Sequence, residues 1–143
     1  ASDFALYGQL TQLVGFDPTP RAIAHSLSPR IVAYTGLMED QTGLEPESSD
    51  WNTVETAPDT LKGILNEVGH VYAPALLANA QAMQAGEKTW EAEIDGSRWT
   101  QQTFNYQGKC LQWINAEYQA LGGADRTRVD GLLAGTGCEK ILF

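Results

Sequence analysis

Basic residues are scarce in this sequence, which has 9 Lys and Arg against 18 Asp and Glu and a net charge of −9. Binding to a nucleic-acid backbone or to an anionic membrane surface needs clustered cations, and none cluster here. No apolar run approaches the roughly 20 residues that span a bilayer, and no basic stretch introduces one as in a signal peptide. We therefore expect neither nucleic acid nor a membrane as a partner.

Cysteine is nearly absent as well, and the two present, Cys110 and Cys138, form no CxxC pair. This pattern favours reduced thiols and a cytoplasmic protein, while a disulfide between the two stays open at this stage. Cys110 falls on an apolar helix face, where a buried structural cysteine is more common than a nucleophile. Cys138 follows a glycine-rich stretch and is expected to be the more exposed thiol.

Catalytic and metal-binding signatures are missing too. No G-x-S-x-G motif occurs, and the Gly-Thr-Gly run at 135–137 follows a predicted helix instead of a strand, unlike a phosphate-binding loop. Glu67-x-x-His70 has the spacing of half a di-metal carboxylate site, but the other histidine, His25, has no Glu three residues before it. We expect no metal, no cofactor and no catalytic residue in this chain.

The residues that are present predict a helical protein. With 143 residues, 43% hydrophobic and 19% charged, the composition is that of one globular domain over residues 1–143. Apolar spacing, N-cap residues and Pro-start signals such as Thr19-Pro20 and Ser28-Pro29 place the helices. We predict them at about 3–14, 20–27, 29–41, 59–85, 105–121 and 125–134, with a kink near Pro74. The polar segment between the third and fourth either orders around Trp51 or is a flexible loop.

One segment, at about 89–102, changes from the helical period to alternation. Asp95-Gly96 is a favoured two-residue hairpin turn, and folding about it pairs Glu93 with Arg98 and Ala92 with Trp99. One face then carries Trp90, Ala92, Ile94 and Trp99. Because two strands alone are marginal in water, we expect this face to lie on helices.

Aromatic residues concentrate on the predicted hairpin and the helices that flank it. In the helix at 105–121, one face carries Tyr106, Cys110, Trp113, Ile114, Tyr118 and Leu121. This aromatic set is either core or an apolar pocket with polar tips that orients a small hydrophobic ligand. The candidate pocket residues are Tyr72, Trp99, Tyr106, Gln107, Cys110 and Trp113.

The stretch ASDFALYGQLTQLVGFDPTP resembles the central helix of the C-terminal, all-helical half of bacterial glutathione S-transferase-like proteins. In that family a Ser/Thr-x-x-Asp capping box begins the helix, and Asp3 matches its structural Asp. Independently of the family, Ser2 is a residue type that favours the N-cap position. SPRIVAYTGLMEDQTGLE resembles the next helix. The segments APALLANAQAM, YQGKCLQWINAEY and LLAGTGCE resemble C-terminal extensions of some members.

The resemblance implies a helical bundle that lines the hydrophobic-substrate site, while an N-terminal thioredoxin-like domain would hold glutathione. Nothing in this sequence predicts such a βαβ unit, so we expect a transferase-like protein cut at its central helix and inactive alone. Stand-alone binding or interaction modules, and unrelated helical proteins, are the alternatives. Phe4, Leu6, Tyr7, Leu10 and Leu13 cover most of the first helix. We therefore predict a homodimer through the N-terminal helix.

Overall fold

The computed structural model describes residues 2–41 and 43–143, which are mainly helical with one two-stranded antiparallel sheet, as predicted. The helices are α1 Ser2–Gly15, α2 Pro18–Leu27, α3 Pro29–Glu39, α4 Asp59–Glu67, α5 Ala73–Gln84, α6 Asn105–Ala120 and α7 Gly123–Leu133. The strands are β1 Thr89–Ile94 and β2 Ser97–Gln102. The chain divides into two compact units, residues 1–50 and 51–143. One domain over 1–143 stays a prediction.

The first unit consists of α1, α2 and α3. The Tyr34 hydroxyl of α3 donates to the Asp3 carbonyl at the start of α1, at 2.9 Å, and ties these two helices together. Among its described residues, 2–41 and 43–50, Val14 is the only buried side chain. Phe4, Leu6 and Leu13 of α1 are exposed. The three helices therefore leave much of their apolar surface uncovered within the described chain.

The N-terminal end of α2 differs from the prediction. Helix α2 begins at Pro18 and not Pro20, because the Asp17 carboxylate accepts a hydrogen bond from the Thr19 backbone N–H at 3.2 Å. Asp17-Pro18 and Thr19-Pro20 both carry cap-and-proline chemistry, and the upstream pair sets the start. Helix α1 begins at Ser2 with Asp3 in its first turn, and the capping role of Ser2 stays a prediction.

The second unit is built on the predicted long helix, which a π-helical turn at Val68–Tyr72 divides into α4 and α5. The turn ends with the Ala73 N–H donating to the Val68 carbonyl, five residues back. Pro74 follows in the first turn of α5, where its missing N–H is tolerated. The irregularity predicted near Pro74 is therefore this π-helical turn, which changes the face that the following residues present.

The end of α5 and the hairpin after it agree with the prediction. Gly86 adopts φ +73°, and its N–H donates to the Met83 carbonyl while the Glu87 N–H donates to the Ala82 carbonyl, which is a Schellman ending. Asp95 and Gly96 both have positive φ, 49° and 71°, as a type I′ turn requires.

The register of the hairpin is the predicted one, and Ala92 faces Trp99 across the strands. Trp90 is 5% exposed and packs with Ile94 and Ala82 against α5. Trp99 is 48% exposed, so the expectation that it packs on the helices is wrong. Strand β1 packs along α5, and β2 is the outer strand of the pair, which leaves Trp99 half uncovered.

The remaining elements complete the core of the second unit. Helix α6 packs on α5, and a C-terminal 3₁₀ turn at Cys138–Ile141 contacts α5 and the π-helical turn. The main cluster consists of Ala73 and Leu76 from α5, Leu111 from α6 and Ile141 from the 3₁₀ turn. The C-terminal tail, residues 138–143, therefore packs against the end of the α5–α6 pair.

Candidate functional site

Helix α6 packs on α5 through one side that includes a glycine. Gly108, Leu111 and Asn115 are its buried positions. A Cβ atom at Gly108 would lie 2.8 Å from the Met83 Cε, so the glycine leaves room for the end of the Met83 side chain. Of the two alternatives for the predicted apolar face, core is wrong for Tyr106, Trp113 and Ile114, which are exposed, while Cys110 is half-buried. Trp113 lies about 200° around the helix from Leu111, at 100° per residue.

Two buried asparagines fix the ends of this packing. Asn79 is fully buried; its Nδ2 donates to the Phe104 carbonyl at 3.1 Å, and its Oδ1 accepts from the Phe104 N–H at 2.8 Å. Asn115 donates through Nδ2 to the Ile141 carbonyl at 2.8 Å and accepts at Oδ1 from the Phe143 N–H at 2.7 Å. These amides hold the segment entering α6 and the C-terminal tail in place.

Tyr106 and Trp113 of α6 consequently form an exposed surface and not a core. Tyr106 and Trp113 meet edge to face, with ring centroids 6.0 Å apart, and are 57% and 56% exposed. Phe104 lies 6.3 Å from Tyr106. We call the surface formed by Phe104, Tyr106 and Trp113 the α6 aromatic face. Edge-to-face rings of this kind offer a rigid apolar surface with a phenol hydroxyl and an indole N–H as polar groups.

The four further predicted pocket residues have distinct surroundings. Partial burial raises the pKa of Tyr72, and the neighbouring Cys110 adds to the rise. Cys110 itself is half-buried, as is Gln107. Trp99 lies on β2, and within the described residues it makes no ring contact with the α6 aromatic face. The structure thus brings together Tyr106 with Trp113 and Tyr72 with Cys110, and leaves Trp99 apart.

The two cysteines and His70 are the other residues that could act as nucleophiles or metal ligands. Both cysteines are free, and Cys138 is buried with its Sγ donating to the Leu65 carbonyl at 3.2 Å, so the expectation that it is the more exposed thiol is wrong. The His70 Nε2 lies 4.0 Å from the Asp95 Oδ1, and both side chains are largely exposed. Across residues 2–41 and 43–143, no three His, Cys, Asp or Glu side chains are grouped as metal ligands would be.

Sequence reasoning missed the contact between the π-helical turn and the Gly-Thr-Gly loop. Gly69 is buried directly against the backbone of Thr136, Gly137 and Cys138. Gly137 has φ +88°, and its N–H is held by the Glu139 carboxylate at 2.8 Å. The run of glycines at 135–137 was the available signal; its role is close backbone packing.

Comparison of the chain with protein-family models, with curated proteins and with solved structures gave no significant match. Within the part of the chain that the structure describes, no helix combines the length and hydropathy needed to cross a bilayer. The candidate site therefore depends on geometry and chemistry, and the α6 aromatic face is its best-defined part.

Proposed function

We propose that this chain is the helical, substrate-binding part of a glutathione S-transferase-like protein, and that it supplies an apolar surface for a small hydrophobic ligand. The observation that carries the proposal is the exposed Tyr106–Trp113 pair of the α6 aromatic face. Two large rings left half uncovered on a rigid helix form a surface that an apolar molecule would cover. The sequence resemblance supports the proposal, since the helical half of that family lines the hydrophobic-substrate site.

The chemistry around the α6 aromatic face favours a neutral ligand. The rings provide apolar contact, and the phenol of Tyr106 and the indole N–H of Trp113 provide hydrogen-bonding groups. The chain carries a net charge of −9, so an anionic ligand would be repelled at long range. We propose a neutral, largely aromatic or aliphatic molecule as the substrate class.

The isolated chain is proposed to be inactive as a transferase. Activation of glutathione needs a donor aimed at its sulfur and groups that hold its carboxylates, and the family keeps both in its thioredoxin-like domain. The sheet in the described residues is the β1–β2 hairpin, which is not a βαβ unit. Catalysis would therefore require such a domain to complete the site.

A second candidate function is a protein-interaction module that forms a homodimer through the N-terminal helix. The exposed Phe4, Leu6 and Leu13 of α1 favour it, since apolar residues of this size gain free energy when a partner covers them. Sedimentation velocity at tens of micromolar protein tests it. We expect a dimer that Leu6→Gln weakens and that Gln9→Ala, an exposed position on the same helix, leaves intact; a monomer throughout would refute this candidate.

Quenching of tryptophan fluorescence by nitrobenzene, a neutral apolar probe, tests the main proposal. We expect a saturable component in the wild-type chain that Trp113→Phe removes. Trp51→Phe is the matched control because Trp51 is exposed and lies outside the α6 aromatic face, so its variant should keep the saturable component. Quenching that rises linearly, or that is unchanged in Trp113→Phe, would overturn the proposal.

A further inference from the structure

A cavity of about 290 Å³ lies between α5, α6 and the C-terminal tail. Its wall on α6 includes Leu111, so it opens on the side of that helix away from Trp113. Helix α5 contributes Ala80, Met83 and Gln84, α6 contributes Leu111 and Gln112, and the tail contributes Phe143. Leu111 and the neighbouring Gly108 are buried and form the floor, whereas the two glutamines and Phe143 are exposed at the mouth.

None of the described residues that line this cavity has a charged side chain, although 19% of the residues in the chain are charged. A methyl group, a thioether, a leucine and a phenyl ring provide apolar contact. The polar side chains of this lining are the amides of Gln84 and Gln112, which can donate or accept a hydrogen bond. Such a wall suits an uncharged molecule with a single polar group, since an anion would lose hydration without gaining a counter-charge.

One part of the wall, the Met83 side chain, is held in place by its neighbours. The Met83 Sδ lies 3.5 Å from the Asn79 Nδ2, and Asn79 is itself held by two hydrogen bonds to Phe104. The absence of a side chain at Gly108 leaves room for the Met83 methyl group, because a Cβ there would come within 2.9 Å of the Met83 Sδ. A side chain that is already held in place lowers the ordering cost of binding.

We propose that this cavity is a binding site for a small, neutral, single-ring aromatic molecule that carries one hydrogen-bonding group. The ring lies against Leu111 and Met83, and the polar group reaches Gln84 or Gln112 at the mouth. The volume is near the lower end of the roughly 300–1,000 Å³ range of small-molecule sites, which limits the ligand to about one ring. The site is independent of the α6 aromatic face.

Methyl NMR of the full chain labelled with [methyl-¹³C]methionine tests the proposal, with p-cresol as the probe. The chain has two methionines, Met83 in the cavity wall and Met38 on α3, so the second signal is an internal control. We expect the Met83 methyl resonance to shift saturably, with a Kd on the order of millimolar, while the Met38 resonance stays in place. The anion 4-methylbenzoate, of similar shape, should bind at least tenfold more weakly.

Two further observations keep the test decisive. Ala80→Leu fills part of the cavity and should weaken p-cresol binding at least tenfold; full binding in a folded variant would overturn the proposal. If that variant fails to fold, nuclear Overhauser effects from p-cresol to Leu111 in the wild-type chain decide, and their absence at saturation refutes the site. Movement of both methionine signals without saturation would also refute it. Met83 reports on the cavity and Trp113 reports on the α6 aromatic face. One of the two proposed sites can therefore be refuted while the other is confirmed.

Discussion

Two glycines of one long helical segment are expected to respond in opposite directions to the same substitution. Within the described chain, a Cβ added at Gly63 in α4 would meet no atom within 4 Å beyond its own helical turn, so alanine there fills open space. Gly69 in the π-helical turn is buried against the Gly-Thr-Gly loop. A Cβ there would overlap the Thr136 carbonyl oxygen and lie 2.7 Å from both the Gly137 carbonyl carbon and the Cys138 nitrogen.

The magnitudes follow from these surroundings. Gly63→Ala should raise the free energy of unfolding by about 0.5–1 kcal/mol, because alanine loses less backbone entropy in a helix. Gly69→Ala gains the same entropy term, but it forces backbone atoms of the loop to move by about an ångström. Overpacking of this kind costs roughly 1–3 kcal/mol and more where backbone must shift, so we expect a net loss of about 3 kcal/mol. The two variants should therefore differ by about 4 kcal/mol.

Urea unfolding followed by tryptophan fluorescence measures this difference. All four tryptophans lie in residues 51–143, so the signal reports the unit that contains both glycines. With a slope of about 1–3 kcal/mol/M, the two midpoints should be separated by more than 1 M urea. If Gly69→Ala is as stable as Gly63→Ala, the close contact between the π-helical turn and the loop does not exist.

Three other predictions concern hydrogen bonds and ligand selectivity. Asn79→Ala should cost about 2–4 kcal/mol in urea unfolding, because the Phe104 N–H and carbonyl lose their partner, whereas exposed Asn66→Ala should change little. The hydrogen bond to Asp130 raises the pKa of Tyr118, so its stabilising contribution is complete below the unfolded pKa of about 10 and is lost as pH rises through the higher folded pKa. Spectrophotometric titration should show Tyr118 ionising at lower pH in Asp130→Asn; an unchanged titration would contradict the bond. Calorimetry should detect no binding of glutathione at millimolar concentration, and saturable heat that a single substitution removes would contradict this.

Features set by local chemistry could be predicted from the sequence. The hairpin register followed from the Asp95-Gly96 turn and the alternation around it, because both act within a few residues. The end of α5 followed from Gly86, which accepts the positive φ of a helix C-terminus. The start of α2 was placed two residues late because two adjacent cap-and-proline pairs compete, and only geometry decides between them.

Features set by tertiary contacts could not be predicted in this way. The buried side of α6 carries Gly108, Leu111 and Asn115, and it is set by contacts with distant residues such as Met83 and Ile141. The bulkier Tyr106 and Trp113 lie on the other side. The π-helical turn changes the face of the following helix, so a constant helical period misassigns it. In the candidate site, helical spacing correctly placed Tyr106 and Trp113 on one face of α6. Spacing alone could not show that this face is exposed.

The central claim, that the α6 aromatic face binds a small apolar ligand, is tested most directly by ¹⁵N NMR of the indole N–H groups. Trp51, Trp90, Trp99 and Trp113 give four separate signals, and nitrobenzene is added to the full chain. The proposal predicts a saturable shift of the Trp113 signal, while the signals of buried Trp90 and exposed Trp51 stay in place. A Trp113 signal that does not move, or that moves no more than the Trp51 signal, would contradict it.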